Sequence, residues 1–367
     1  MAFREGEVLT SIPHLVVRVR DTDGTEGVGF AWTPQPATVP DLLRTTRDLA
    51  ETLPGHEVRP TALRADMLAR VPSASSPSPS TLPPSHSFVT LASYPSPSPF
   101  TLHPSPSVAA LDCALWDLHA RQLDLPLYQL LGGLRERIPA YASHGLWRGL
   151  SPGVLAENAA RHVAQGYRAV KLRIGGEAVA EDALDRLRAV REAIGPSVTL
   201  MADVNGRWPA ELAASLLPRI AEFALGWLED PVGSADPAAT AALASAGTAL
   251  ATGENLGSPA DIRRWLDAGA MDVVILDVSR LGGIGPWLQA AAVAEAYHRP
   301  VAGHVLPEIH QHLLAAVPNA LTVEYVPRSA ALWREPLVPR QGWLELTGQP
   351  GLGLELDEAV LRRHALS

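Results

Sequence analysis

From about residue 138 onward the chain repeats one unit: a short apolar run, a polar or glycine turn, then a stretch with helical periodicity. The apolar runs are "IPAYAS", "YRAVKL", "VTLMAD", "LGWLED", "ALATGE", "DVVILD", "RPVAGH" and "ALTVEY". Their ends recur roughly every 25 residues, with helices such as 182–194 and 209–224 between them. Strand and helix alternating at this spacing predict parallel α/β units. Eight strands within about 190 residues predict a closed barrel of the TIM type.

The first third is patterned differently. "HLVVRVRDTDGTEGVGF", 14–30, reads as two strands joined by a tight turn, since "LVVRVR" alternates and "DTDG" supplies turn chemistry. Residues 39–70 read as helical, with Leu42, Leu43, Leu49 and Leu53 set among charges. Residues 71–107 are dominated by Ser and Pro, which excludes a regular helix and predicts a surface insertion. "VAALDCALWDLHARQL", 108–123, restores an apolar helix, and Gly132 and Gly133 end the next turn.

Composition narrows the partners. The 367 residues are 47% hydrophobic, ample for one large barrel and a smaller domain. Thirty Lys and Arg against 39 Asp and Glu give a net charge of -9, which argues against nucleic acid and anionic membranes as partners. An anionic small substrate stays open, because placed cations or a metal reverse the local field. The one cysteine, Cys113, allows no internal disulfide and suits a reducing cytoplasm. No apolar leader or membrane-spanning run is visible, so a cytoplasmic location is expected.

In a TIM-type barrel, chemistry sits at the C-terminal ends of the strands. Those ends carry Ser143, Lys171, Arg173, Asp203, Asn205, Glu229, Glu254, Asp277, His304 and Glu324. Asp203, Glu229 and Glu254 come from three successive strands. Three converging carboxylates repel one another unless protonated or bridged by a cation, and hard oxygen ligands favour Mg²⁺ or Mn²⁺ over Zn²⁺. Asp277 and His304 end the next two strands. A carboxylate beside an imidazole fixes its tautomer and raises its basicity, as a general base requires. His310 and His312 compete with His304 but fall in the following helix, "EIHQHLLAAV", and rank as helix-face residues. Strand alternation places Lys171 and Arg173 on one face, where they are expected to meet an anionic substrate beside the metal.

Taken together, "ALDCALWDL", "LYQLLGG", "AYASHG", "AVKLRIG", "MADVNGRW", "WLEDP", "TGEN", "DVVILDVSRLGGI", "GHVLPEIHQHLLAAVPNALTVEY" and "PGLGLELDE" resemble the enolase superfamily and, within it, the mandelate racemase group. The resemblance covers nearly all the chain outside the Ser/Pro segment. It implies an α/β fold, a modified TIM barrel of the (β/α)7β kind with an N-terminal α+β capping domain. The expected parts are a cap over 1–133, a barrel over 134–335, and a segment over 336–367 that returns to the cap. It implies one Mg²⁺ held by Asp203, Glu229 and Glu254, which binds the substrate carboxylate and stabilises the enediolate left when the α-proton departs. Asp277 and His304 match the family's base dyad, and Lys171 matches the first lysine of its K-x-K motif. Glu324 matches the acidic residue that hydrogen-bonds the substrate carboxylate opposite that lysine. Ser143 and Asn205 match substrate contacts. A homo-oligomer is also expected.

Two departures shape the functional expectation. Arg173 stands where many members carry a second lysine base, and an arginine is a poor proton acceptor. One-base chemistry survives: dehydration of a sugar acid, a hydro-lyase reaction, with His304 taking the α-proton and then helping a β-hydroxyl leave. The alternatives are a racemase or epimerase of a 2-hydroxy acid and a catalytically impaired carboxylate-binding barrel. The second departure lies in the cap: its first strand is expected to be absent or cut short before "GEVLTS", and the Ser/Pro run replaces helix. Cap loops select the substrate in this family.

Overall fold

The computed structural model describes residues 2–4, 7–9, 14–32, 38–70, 105–177, 179–233, 237–244 and 247–364. Thirteen strands are described, numbered in chain order. β1 (Ala2–Arg4) and β2 (Glu7–Leu9) pair with each other, and β3 (His14–Arg20) pairs antiparallel with β4 (Glu26–Trp32). These are two separate sheets.

The barrel strands are β5 (Arg137–Ala142), β6 (Ala169–Arg173), β7 (Thr199–Asp203), β8 (Leu228–Glu229), β9 (Leu250–Thr252), β10 (Val273–Leu276), β11 (Val301–Gly303) and β12 (Ala320–Tyr325). Each pairs in parallel with the next, and β12 closes on β5. All eight coincide with the apolar runs read from the sequence. A thirteenth strand, β13 (Trp343–Glu345), was not anticipated; it pairs antiparallel with the first half of β5, leaving the second half for β12. Among the described residues no helix is long and apolar enough to cross a membrane.

Period-two alternation sorts the strand residues into two layers. Val170, Leu172, Leu200, Ala202, Leu228, Val274 and Leu276 join the large core under the helices. Tyr141, Met201, Trp227, Ala251, Val273, Ile275 and Ala302 form a separate cluster. We assign that cluster to the barrel interior, because its members are the alternate set. Two residues beyond an interior position, the next inward side chain emerges at the strand end. Thus Tyr141 leads to Ser143, Met201 to Asp203, Trp227 to Glu229, Ile275 to Asp277 and Ala302 to His304.

The helix Ser105–Gln122 sews the N-terminal region to the barrel. Its fully buried Asp112 accepts a hydrogen bond from the Ile284 amide at 2.7 Å, at the start of the barrel helix Ile284–Ala296. Asp117, one face round, accepts from the amides of Val28 (2.8 Å) and Leu352 (2.6 Å). The segment after β13 therefore packs on that helix. Leu127 N–H donates to Gly351 O at 2.8 Å, and Arg121 reaches Leu354 O at 3.2 Å. The helix begins inside the Ser/Pro run rather than after it. A proline is tolerated in a first helical turn, and Ser107 Oγ donates to Leu42 O at 3.1 Å. The rest of the expected insertion, 71–104, lies outside the described residues.

Candidate active site

At the C-terminal mouth of the barrel, buried charges meet around Lys171. Its ammonium lies 2.7 Å from Glu229 Oε2, 3.3 Å from Glu324 Oε1 and 3.8 Å from Asp203 Oδ2, and all four side chains are fully buried. Burial alone would pull the lysine pKa down. Glu229, Glu324, Tyr141 and Asp203 more than offset it and hold Lys171 well above the ordinary value, so it is a fixed cation. Its Nζ also stands over the Tyr141 ring, 5.5 Å from the centroid.

Arg173, two residues on, faces the same way. Its Nε is 3.6 Å from Asp203 Oδ2, and its guanidinium stacks on Trp147 at 4.8 Å. Parallel register puts Arg173 beside Asp203 and Asp203 beside Glu229. Asn205, at φ 51°, folds back: its amide nitrogens reach Asp203 Oδ1 and Oδ2, each at 2.8 Å, and its Oδ1 accepts from Arg148 at 2.6 Å. Ser143 is buried, and its hydroxyl hydrogen-bonds towards Glu324, helping to lower that carboxyl's pKa.

The other side of the mouth is the dyad. His304 Nδ1 is 2.6 Å from Asp277 Oδ2. Asp277 Oδ1 accepts from the amides of Ser279 (2.7 Å) and Arg280 (3.0 Å), which leaves Oδ2 for the imidazole. His304 Nε2 faces Glu254 Oε2 at 3.0 Å and Glu324 Oε2 at 3.8 Å. Burial lowers the histidine pKa, but Glu254 and Asp277 raise it further, so the net shift is upward. His310 and His312 do lie in the following helix, Pro307–Ala316, and both are buried. Burial depresses both, each to about 4. His310 braces the dyad from behind. Its Nδ1 donates to Val305 O at 2.6 Å, and its Nε2 accepts from the Val278 amide at 3.2 Å. It thereby ties the residue after Asp277 to the residue after His304. Gly303 makes room for it, since a Cβ there would lie 2.8 Å from His310 Cβ. Val305 and Leu306 both hold φ at 43°, a costly pair for non-glycine residues.

Glu254 breaks the alternation, three residues beyond Ala251 instead of two. Gly253, at φ +128°, takes up the extra residue, and a Cβ there would lie 2.6 Å from Ile275 O. Glu324 sits between Lys171 and His304, with Oε1 3.3 Å from Nζ and Oε2 3.8 Å from Nε2. Burial favours its neutral form, but Lys171, His304 and Arg173 win and hold it well below the usual carboxylate range.

Among the described residues no three His, Cys, Asp or Glu side chains are arranged as a ready cation cage. Glu229 is turned to Lys171 and Glu254 to His304. The donor set nevertheless fits a hard divalent cation. Burial raises the pKa of Asp203 and of Glu229, and in each the neighbouring carboxylates, Glu254 among them, add to the rise. Glu229 Oε1 is buried without a hydrogen bond, and the close polar contact of Glu254 Oε2 is His304 Nε2. All-oxygen ligands and mutual repulsion suit Mg²⁺ or Mn²⁺. Asp230, pushed up to about 8 by burial and by Glu254, adds a further buried acid beside them.

Four residues at this mouth were not picked out from the sequence: Arg148, Trp147, Trp32 and Arg328. The Trp32 ring, at the end of β4, is 6.5 Å from the His304 ring, and the Arg328 guanidinium lies 4.6 Å from the Trp32 centroid. Arg148 and Trp147 stand in the loop after β5, where position predicts a site residue but side-chain type alone does not.

With this geometry in hand, comparison with known proteins is direct. Residues 154–360 match the family model described as enolase C-terminal domain-like, and residues 100–132 match the mandelate racemase/muconate lactonizing enzyme N-terminal domain. The chain belongs to this family, the mandelate racemase branch of the enolase superfamily. It is 30% identical over 355 residues to L-talarate/galactarate dehydratase of Salmonella typhimurium, covering 96% of this chain and 83% of that one. A crystal structure of that dehydratase, liganded with Mg and L-lyxarohydroxamate, superposes with a TM-score of 0.83 at 29% identity, covering 96% and 84%. A racemase from Streptomyces coelicolor with bound magnesium gives a TM-score of 0.83 at 29% identity, covering 96% and 92%.

Proposed function

We propose that the protein is a Mg²⁺-dependent dehydratase of a sugar acid, with His304 as its single base. The observation that carries this reading is the unequal pair of basic groups. His304 is oriented by Asp277 at 2.6 Å, whereas Lys171 is pinned as a cation by three carboxylates. The resemblance to L-talarate/galactarate dehydratase supports the same reaction class.

The residues divide the work as follows. Lys171 and Arg173 hold the substrate carboxylate. Asp277 keeps the proton on Nδ1 of His304, so Nε2 is the acceptor for the α-proton. The resulting imidazolium returns that proton to the departing β-hydroxyl, which leaves as water, and the enol product tautomerises to a 2-keto-3-deoxy acid. Asp203, Glu229 and Glu254 would hold the metal, which would supply Lewis-acid charge for the substrate carboxylate, and Glu254 serving as a ligand would leave His304 Nε2 free. Ser143 and Asn205 line the carboxylate end. A racemase would need a second acceptor on the opposite face. Arg173 cannot serve, and Lys171 is held protonated. The reading includes a small carboxylate as the only class of ligand, a homo-oligomer, and a cytoplasmic setting that keeps the buried Cys113 reduced.

A library of sugar acids incubated with the protein and Mg²⁺ tests this directly. Keto-acid formation with wash-in of solvent deuterium is expected for at least one member. Racemised substrate without keto acid would replace dehydration with racemisation. Dialysis against a chelator should abolish turnover and Mg²⁺ should restore it; full activity in chelated protein rules out the metal.

A further inference from the structure

Two of the three carboxylates assigned to the metal are turned to close partners of their own, Glu229 to Lys171 at 2.7 Å and Glu254 to His304 at 3.0 Å. Asp203 is not. Its nearest cations, Arg173 and Lys171, stand off at 3.6 and 3.8 Å. Both of its oxygens are held by Asn205 instead. The Asn205 main-chain amide donates to Oδ1 and the side-chain Nδ2 to Oδ2, each at 2.8 Å.

Asn205 is itself held by Arg148. Arg148 Nη2 donates to Asn205 Oδ1 at 2.6 Å and to Val204 O at 3.3 Å, and its Nε donates to Ile174 O at 2.9 Å. One half-buried guanidinium thus ties together the loops that follow β5, β6 and β7. Room is kept for it: a Cβ on Gly176 would overlap Arg148 Cδ. Burial lowers the arginine pKa to about 10, with Asp203 opposing, so the group is a cation at neutral pH.

A guanidinium can only donate, and an ionised carboxylate can only accept. Between them the Asn205 amide has one possible orientation, oxygen to Arg148 and nitrogen to Asp203. Each Asp203 oxygen then accepts one hydrogen bond from Asn205 and keeps lone-pair capacity for a cation. With Arg148 gone, the amide oxygen loses its charged partner and the side chain is free to turn. Asp203 is then free to close on Arg173 and Lys171, as Glu229 has closed on Lys171.

We propose that Arg148 is a positioning residue that acts through Asn205, keeping Asp203 out of a close ion pair with the site's own cations and ready for the divalent metal. This rests on the metal assignment above and is independent of which acid is turned over.

Metal binding tests it without turnover. Mn²⁺ is titrated into the chelated full chain without substrate, and electron paramagnetic resonance of the free ion gives Kd and the number of sites. Arg148→Met should raise Kd about 10- to 100-fold with the number of sites unchanged, the usual effect of removing an outer-shell partner. Arg148→Lys keeps a donor for Asn205 without the fork and should fall between, several-fold above wild type. Asn205→Gly tolerates the left-handed backbone at φ 51° and removes the relay, so it should weaken binding at least as much as Arg148→Met. In that background Arg148→Met should add nothing, because residues acting in series are not additive. The proposal is overturned if Arg148→Met binds Mn²⁺ within about twofold of wild type, or if its effect is as large in Asn205→Gly as in the native background. It is also overturned if the number of sites falls at unchanged Kd, as a merely structural role would give. Where Arg148→Met does not fold, Arg148→Lys is read in the same two backgrounds, and wild-type Kd in the native one overturns the relay. If wild type binds no Mn²⁺ at millimolar concentration, the metal assignment fails and the proposal with it. If wild type binds and the Arg148 variants bind alike, the metal assignment stands and only the relay is lost.

Discussion

The two sides of the barrel mouth carry the two side chains best suited to take a proton; each faces three carboxylates, and they differ in the pKa from which each starts. Lys171 is fully buried against Glu229, Glu324 and Asp203. His304 has Asp277 at 2.6 Å on Nδ1, and Glu254 at 3.0 Å and Glu324 at 3.8 Å on Nε2. Intrinsic basicity would rank lysine as the stronger base. Surroundings raise both pKa values, and only the imidazole starts low enough to be found unprotonated near working pH, as a useful base must be. The lysine side is built to hold charge, and the histidine side is built to move it.

The largest effect should come from removing the mobile side. His304→Asn keeps a polar group of similar size without a basic nitrogen. Turnover should fall by about 10² to 10⁴-fold, the usual contribution of a general acid–base residue, with melting temperature near wild type. If turnover survives within tenfold, the comparison is wrong and another group takes the proton.

Next comes the fixed side. Lys171→Met leaves Glu229, Glu324 and Asp203 buried without their shared cation. In chelated protein the loss of stability should be about 3–5 kcal/mol, as for breaking other buried ion pairs. Denaturant unfolding of the chelated variant measures it, and a loss under about 1 kcal/mol would mean that the carboxylates are already neutral.

How much of this contrast can be read from the chain depends on the range of the interaction. Asp203, Glu229, Asp277 and His304 follow an inward-facing residue by two positions, so strand periodicity alone finds them. Glu254 is legible only with Gly253 beside it, because the glycine adds a residue to the count. The two-fold arrangement of helix Ser105–Gln122, with Asp112 capping a barrel helix and Asp117 holding β4 and the C-terminal segment, is visible as an apolar helix but not as a joint. Arg328 is invisible in the same way: its partner Trp32 lies nearly 300 residues earlier, and no local pattern joins them. The pairing of β13 with β5 is long-range too. Position at a strand end marks chemistry; what reaches it from the N-terminal region has to be seen in three dimensions.

His310 offers a smaller perturbation, confined to the histidine side. It touches neither pocket nor substrate, but it links the backbones that follow Asp277 and His304. His310→Asn can satisfy only one of those two groups. A loosened dyad should lower kcat by roughly tenfold, as expected for a misplacement of a fraction of an ångström, with KM little changed. A merely destabilised fold would lower the amount of active protein and leave kcat per active site intact, so active-site titration separates the two.

The smallest expected change is a gain. Arg173 is not locked by a close salt bridge: its nearest carboxylate oxygen is 3.6 Å away, and its guanidinium lies on the face of Trp147. A guanidinium there stays protonated at any working pH, whereas a lysine amine does not. Arg173→Lys should therefore open slow exchange of the α-proton in the configuration that His304 cannot reach, far below the rate of dehydration. Deuterium wash-in followed for both substrate configurations reads this out. If neither variant nor wild type exchanges the second configuration, the carboxylates close this side at position 173 as firmly as at Lys171, and the contrast between the two sides is sharper than drawn. If wild type already exchanges both, and His304→Asn spares one of them, Lys171 is releasing its proton despite its three carboxylates. The division into a side that holds charge and a side that moves it would then be lost, and with it the preference for dehydration over racemisation.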